Sequence, residues 1–434
     1  MKKVYDFGNN ILDNYKSFNI DDVEVITSEN ISLSVKSRQQ KLENIERSEN
    51  FNIGINIYKD KKKATISSNN IASTDAKEYL EKGSAMVKSM PIDEFSGLAD
   101  KKDYTSEIED LELEDTTQLS EKQLLDQALL AEDAMLKNKK ITNSEGATRS
   151  FSKNTYNIIN SKGFNATYSK TFHSISSIAI AGSDTNMQRD YEYSAATHAS
   201  DLLLAEEVGS LAAKRAASRL NSKKIKSCTL DVIFEPRVAK SILSSFCSCA
   251  SGTSIARGTS FLNNQLNTSI FKKNINITNN PKLKRGIGSA PYDSSGIKTE
   301  NISIIQDGIF KNYFLNIRSA RQLRMPINGN SSPSNLILNK GDQDIETIIK
   351  NIKNGFLVTE MLGMSFNPIN GDYSRGATGF KIENGEITYP VSEVTIAGNL
   401  PEMLKNLIPA NDLKINDNIN SPSILIEGMT LAGL

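Results

Sequence analysis

Apolar and polar residues alternate with period two in ISLSVKS (31–37) and in FNIGINIY (51–58), the mark of an antiparallel strand with one buried face. Runs at 22–28 and 42–48 are also strand-like, so strands are predicted at 22–28, 31–38, 42–48 and 51–58, after a short helix at 8–18. The lysines Lys61, Lys62 and Lys63 fall at the turn that follows, as a solvated hairpin tip. Ser73, Thr74 and Asp75 are all good cap residues for a helix that runs to Met90, where Pro91 stops it. Residues 101–117 lose the pattern: acidic and poor in large apolar side chains, they read as a surface connector. Ser120 then opens a helix with Leu124, Leu125, Ala128, Leu129 and Met135 on one face. Strands are expected at 141–150, 154–160 and 164–182, then a helix over 201–220, capped by Ser200, with Leu204, Val208 and Leu211 turned inward.

The second half is richer in strands. A strand at 226–234 and a helix from Pro236 to Cys249 precede a strand-dominated remainder. AspGly at 307–308 and AsnGly at 384–385 each join two strand-like runs, and both dipeptides favour the two-residue turns that suit antiparallel pairing. Segments rich in Gly, Ser or Pro at 250–259, 286–296 and 328–335 read as long loops. The pattern predicts an α+β chain of two domains, 1–222 and 223–434, each a largely antiparallel sheet with packed helices.

Composition narrows the functions. The 434 residues exceed the size at which one core keeps growing. Lys+Arg and Asp+Glu both number 51, so no net field draws a nucleic acid or an anionic membrane. No stretch has the apolar length of a membrane span, the N-terminus lacks the apolar region of a secretory signal, and three cysteines are too few for a disulfide framework. A cytoplasmic location is expected.

One stretch stands apart from plain patterning. NPINGDYSRGATGF (367–380) sets Gly371, Gly376 and Gly379 around Asp372, Tyr373, Ser374 and Arg375, which reads as a tightly folded loop dense in donors and acceptors. Asn370, Asp372, Tyr373, Ser374 and Arg375 are the candidate substrate or interface residues, with Arg375 either bridging Asp372 or offering its planar fork to a peptide. Together with ENGEITYPVSEVTIAGNLPEML (383–404), SPSILIEGMTLAGL (421–434), TSFLNNQLN (259–267), the run 289–323 and PIDEFSGLAD (91–100), this stretch resembles the PmbA/TldE branch of the TldD/PmbA metallopeptidase family.

The resemblance makes one test decisive. The peptidase member of this family carries HExxxH on a helix, two histidines holding zinc and a glutamate activating water. That helix should fall at 234–252, where this chain has Ser241, Ile242, Leu243, Ser244 and Ser245. The chain has only His173 and His198, and neither has the spacing. Cys247 and Cys249 stand about 200° apart on a helix and cannot grip one ion from one face, so they read as structural. No GxSxG elbow or Walker loop is present, and scattered carboxylates such as Glu393 and Asp412 carry little signal.

What the resemblance implies is a subunit without a metal of its own, paired with a zinc-bearing TldD-like chain or with a second copy, holding unfolded or modified peptides by strand addition. Two rivals are an autonomous hydrolase whose metal sits among carboxylates and His173 or His198, and a regulatory binding protein of the DNA-gyrase-modulator type. Zero net charge weighs against direct nucleic-acid contact.

Overall fold

The computed structural model describes residues 2–69 and 76–434. The first helix, α1 (Lys2–Asn14), continues as a short 3₁₀ turn at Tyr15–Phe18. The strands that follow are longer than alternation alone predicts. Residues 22–28 and 31–38 form one strand, β1 (Asp22–Arg38), and 42–48 and 51–58 form another, β2 (Lys41–Lys59), paired antiparallel along their length. Gln39 and Gln40, at φ +51° and +59°, make the two-residue turn between them. β3 (Lys62–Ser68) returns after a similar turn at Asp60 and Lys61. Helix α2 (Ala76–Ser89) ends before Pro91 as expected, while the caps read at Ser73, Thr74 and Asp75 lie outside the described residues.

Helix α3 (Glu121–Leu136) has the expected Ser120 cap, whose hydroxyl accepts from the Gln123 N–H while the Gln123 side chain accepts from the Ser120 N–H. Strands β4 (Ile141–Asn160), β5 (Asn165–Ala181) and β6 (Gln188–Ala196) complete an antiparallel sheet in the order β3-β2-β1-β4-β5-β6. Helix α4 (Ala205–Ser218) starts later than predicted, after a turn that holds Ser200, and Leu204 is exposed rather than inward. Small residues make its buried face: Ala205, Gly209, Ala212, Ala213 and Ala216 around Val208. A Cβ at Gly209 would stand 1.9 Å from the Ala131 carbonyl oxygen, so α3 and α4 touch at backbone distance.

The acidic connector is docked rather than free. Leu111 and Leu113 are buried, the Leu113 carbonyl accepts from Thr171 N–H, and the Leu111 carbonyl from Arg285 N–H. Its acids are taken up by Lys282, Lys284 and Arg285 at Glu109 and Glu112.

The remaining chain begins with β7 (Cys228–Phe234) and α5 (Pro236–Cys249). A five-residue helix, α6 (Gly252–Ala256), lies within the loop expected at 250–259. Strands β8 (Ile277–Asn279), β9 (Ile302–Gln306) and β10 (Ile309–Phe310), helix α7 (Ile317–Leu323), strand β11 (Leu336–Leu338) and helix α8 (Ile345–Lys350) follow. Next come β12 (Asn354–Phe366), β13 (Asp372–Glu383), β14 (Glu386–Asn399), α9 (Leu400–Asn406), β15 (Ile408–Pro409), β16 (Ile419–Asn420) and β17 (Ile424–Ala432). Both predicted hairpin turns form, at Asp307-Gly308 and Asn384-Gly385, all four residues at positive φ. One sheet runs β14-β13-β12-β7-β17-β15 and closes on itself where β14 also pairs with β17. The other is β10-β9-β8-β11-β16. Val238, Ile242, Leu243 and Phe246 of α5, spaced at i, i+4, i+5 and i+8, pack into the core that both sheets share. The fold is α+β with mostly antiparallel sheets; β7–β12 and β11–β16 are its parallel pairs.

Candidate functional site

Strand β13 carries the glycine-rich stretch across α5. Only its first part is a turn: Asn367 accepts from the Gly371 N–H through its carbonyl and from the Ile369 N–H through its side chain. Gly371 is at φ +83°, and a Cβ there would sit 2.3 Å from Pro401 Cδ. The turn is tied to α5, since the Pro368 carbonyl accepts from the Phe261 N–H and lies 3.9 Å from Cys249 Sγ. From Asp372 onward the chain is extended. Gly379 is there because a Cβ would meet the Leu357 carbonyl oxygen at 1.9 Å, a sheet-packing reason and not a turn.

Being a strand, the stretch splits its polar residues between two faces. Asp372 and Ser374 are exposed, and Asn370, in the turn, donates to the Asp372 carboxylate at 2.6 Å. Tyr373 is buried, its hydroxyl 3.2 Å from Met361 Sδ. Burial raises the Tyr373 phenol, opposed by Arg375 and Ser241. Arg375 shares that side, with Nε on the Gly363 carbonyl at 2.9 Å and Nη1 on Ser241 Oγ at 3.2 Å. An Arg375–Asp372 bridge does not form, because three residues along a strand point to opposite sides. Ser365, Phe366, Asn367, Asp372, Tyr373 and Ser374 line a cavity of about 380 Å³ with Gly398.

Helix α5 meets this stretch through Ser241. Its hydroxyl donates to the Val238 carbonyl at 2.8 Å while accepting from Arg375, and Ser245 donates to the Ser241 carbonyl at 3.1 Å. Both hydroxyls are thereby spent within the helix. Cys247 and Cys249 are buried and burial pushes both thiols up, Cys249 to about 11, so neither is a ready thiolate. Among the described residues no three His, Cys, Asp or Glu side chains gather in a way that would hold a metal ion. The donors on α5 therefore do not fit zinc.

His173 lies on β5 of the first sheet and His198 in the turn after β6, whereas this stretch is on β13. His173 is fully buried on β5, with Nδ1 3.5 Å from Arg149 Nη2 and Nε2 3.3 Å from Asp115 Oδ2, at an angle too poor for a hydrogen bond. His198 Nδ1 is 3.2 Å from the Thr197 hydroxyl.

Sequence reasoning missed a second polar concentration. Arg215 of α4 and Arg219 just after it, Asp190 and Glu192 of β6, and Glu235 and Arg237 at the start of α5 form one ion-pair cluster, with Glu360 of β12. Arg237 also stacks on Tyr191 at 4.8 Å. Burial raises the Asp190 carboxyl, but the hydrogen bonds and charge of Arg237 outweigh it and hold the group below its usual range. At Glu235 burial wins and raises the carboxyl despite Arg215 and Arg237. The i, i+4 spacing of Arg215 and Arg219 was the available signal.

Comparison with known proteins fits this architecture. The family model for the PmbA/TldA metallopeptidase C-terminal domain matches residues 227–433, that for the central domain 108–220, and that for domain 1 23–87. Metalloprotease PmbA of Escherichia coli O157:H7 is 34% identical over 416 residues, covering 95% of this chain and 92% of that protein. The PmbA homolog of Haemophilus influenzae is also 34% identical, covering 94% and 92%. A Bacteroides thetaiotaomicron structure named for modulation of DNA gyrase superposes with TM-score 0.92 at 26% identity, covering 99% of both chains. TldE from Thermococcus kodakarensis shares the fold, with TM-score 0.84 at 19% identity, over 98% of this chain and 99% of that one.

Proposed function

Because the chain belongs to the PmbA/TldD metallopeptidase family, we propose that it is the substrate-holding member of a two-chain peptidase, gripping an extended peptide while a zinc-bearing TldD-like chain cuts it. The observation that carries this reading is α5. Where the resemblance expects HExxxH, the helix offers Ser241 and Ser245, both bonded to its own carbonyls, and Ser241 serves as the seat of Arg375.

Two surfaces suit an extended, sequence-varied peptide. The cavity beside Asp372 and Ser374 has polar walls and an exposed strand end. The face of the first sheet away from its helices is half-buried and carries Asn30, Asn154, Ser150 and Ser174 in cross-strand hydrogen-bonded pairs. Hydroxyls and amides of this kind match a peptide backbone without selecting its side chains. Unfolded or modified peptides in the cytoplasm are the substrate class.

The test is metal content and peptidase activity of the chain alone and after co-purification with a TldD-like chain from the same cell. The expected result is an inert, metal-free chain and a mixture that cleaves an unfolded peptide. Stoichiometric metal with chelator-sensitive activity in the isolated chain would overturn the reading. In the active mixture, Arg375→Ala frees Ser241 and the Gly363 carbonyl and is expected to lower cleavage about tenfold, the cost of roughly one charge-assisted hydrogen bond. An unchanged rate would remove Arg375 from the site.

A further inference from the structure

A cavity of about 440 Å³ lies where α4, β6, the start of α5 and the segment 412–421 meet. It shares no lining residue with the cavity beside Asp372, and its volume is that of a small-molecule site. Successive residues of β6 point to opposite faces, and the two sides of the cleft follow from that. Glu192 accepts from Arg215 of α4 at 2.9 Å, whereas the Tyr193 hydroxyl donates to Asp417 at 3.1 Å. Helix α4 and the segment 412–421 thus stand on either side of the strand. On α4, Glu207, Leu211 and Arg215 at i, i+4 and i+8 share the face that lines the cleft. The other side is held in place: Asn420 Oδ1 accepts from the Asn416 and Asp417 N–H groups at 2.9 and 3.0 Å, and Lys240 donates to Asp417 at 2.5 Å.

Most charges in the lining are spent within the chain. Arg215 pairs with Glu192 and Glu235, Arg237 with Glu235 and Asp190, and Lys240 with Asp417, while Asp412 accepts from the N–H and hydroxyl of Ser423. Two are not. Glu207 on α4 and Lys414 on the facing segment are exposed, and neither side chain has a hydrogen bond or ion pair among the described residues. Leu203, 41% exposed, and the half-buried Leu211 and Ile419 line the same cleft.

We propose that this cleft binds a short peptide with both ends free, its ammonium held by Glu207, its carboxylate by Lys414, and its apolar side chains resting on Leu203, Leu211 and Ile419. A lone acid would take a cation and a lone base an anion; one of each on separate walls selects a ligand that carries both charges apart. The two charged groups of a single amino acid share one carbon, whereas each further residue moves the ends apart by up to about 3.3–3.6 Å. A peptide of two or three residues, and not an amino acid, is the ligand that separate walls select. Because Asn420 and Lys240 already fix the segment, little ordering is left for the ligand to impose. Short peptides with two free ends are what cleavage of a longer one releases, so on the peptidase reading this cleft holds product. The inference itself does not rest on that reading.

The experiment is calorimetric titration of the full chain with leucyl-leucine and trileucine, each also with its N-terminus acetylated or its C-terminus amidated. At least one free peptide is expected to bind, and each cap to weaken it about tenfold, the loss of one charge-assisted contact. Glu207→Gln should remove the penalty of acetylation and keep that of amidation; Lys414→Gln should do the reverse. The penalty that each variant keeps shows that it is folded. No binding of either free peptide at millimolar concentration, caps without effect, variants that keep both penalties or lose both, or free leucine binding as tightly as the peptides would each overturn the proposal. Binding is read on the isolated chain without peptidase activity, so failure here leaves the functional reading standing and the reverse also holds.

Discussion

His173 is a histidine that the protein keeps neutral. It is fully buried, and burial together with the Arg149 guanidinium lowers it to about 4, with Asp115 only partly opposing. Arg149, itself fully buried and brought down to about 10 by burial, is held by Gln127 at 2.7 Å and by the Ser150 and Ser174 carbonyls. The folded value lies below the unfolded 6.5, so the unfolded chain takes the proton first as pH falls. Stability from this residue is therefore complete above about pH 6.5 and is lost down to pH 4. Between pH 7 and pH 5 the loss should be about 2 kcal/mol. His173→Gln, which cannot titrate, is expected to flatten the pH dependence of the urea midpoint over that interval; an unchanged slope would show that the histidine is not its source. Asp115 acts lower: although burial raises it, N–H donors from Ala199 and Thr117 bring it to about 2, so its contribution fades only as pH falls from about 4 to 2.

Among the elements, α3 and α4 show most clearly what the pattern could and could not say. The helicity of α3 was legible from its cap and period and that of α4 from period alone, since Ser200 lies in the turn before it; the inward face of α4 was not legible, because alanines and a glycine carry little hydrophobic signal. They are inside because two helices and a sheet meet there at backbone distance. Gly209→Ala should therefore destabilise by about 1–3 kcal/mol even though alanine is the better helix former, since its Cβ meets the Ala131 carbonyl oxygen at 1.9 Å. A rise in melting temperature would mean that the helices can part. The long strands were misread for a related reason. Alternation reports burial, and where β1 runs through Ser28, Glu29 and Asn30 neither face is fully covered, so the pattern lapses while the ladder continues to Arg38. At 367–380 the unusual chemistry was visible, but glycine that permits close sheet packing at Gly379 looks in sequence like glycine that makes a turn at Gly371. The Asp190 cluster left almost no trace, because its partners meet across 47 and 141 residues at Arg237–Asp190 and Arg219–Glu360.

At the scale of the molecule, that cluster joins the first sheet to the strand-rich half. Asp190 is 3% exposed and is shared by Arg237 Nη1 at 2.8 Å and Arg219 Nη1 at 3.2 Å, while Arg237 Nη2 reaches the Thr359 carbonyl at 2.8 Å and Arg219 Nη2 reaches Glu360 at 2.5 Å. Asp190 thus bridges two guanidinium groups from different places, Arg219 just after α4 and Arg237 of α5, each of which also has a second carboxylate, Glu360 and Glu235. The pair energies need not favour folding over an apolar seam, but removing the shared carboxylate leaves two buried guanidinium groups with one carboxylate partner fewer each. Asp190→Asn keeps the shape and deletes the charge, and should cost about 3–5 kcal/mol. The half-exposed Arg189–Glu145 pair on the same strand is the matched control, where Arg189→Ala should cost under about 1 kcal/mol. Urea unfolding of the two variants measures both. Equal, small losses would mean that the seam is held by packing alone. A large loss at Asp190 with a small one at Arg189 would place the attachment of the two halves in this carboxylate, whose folded value below the usual range predicts that the attachment weakens as the pH falls through the carboxylate range.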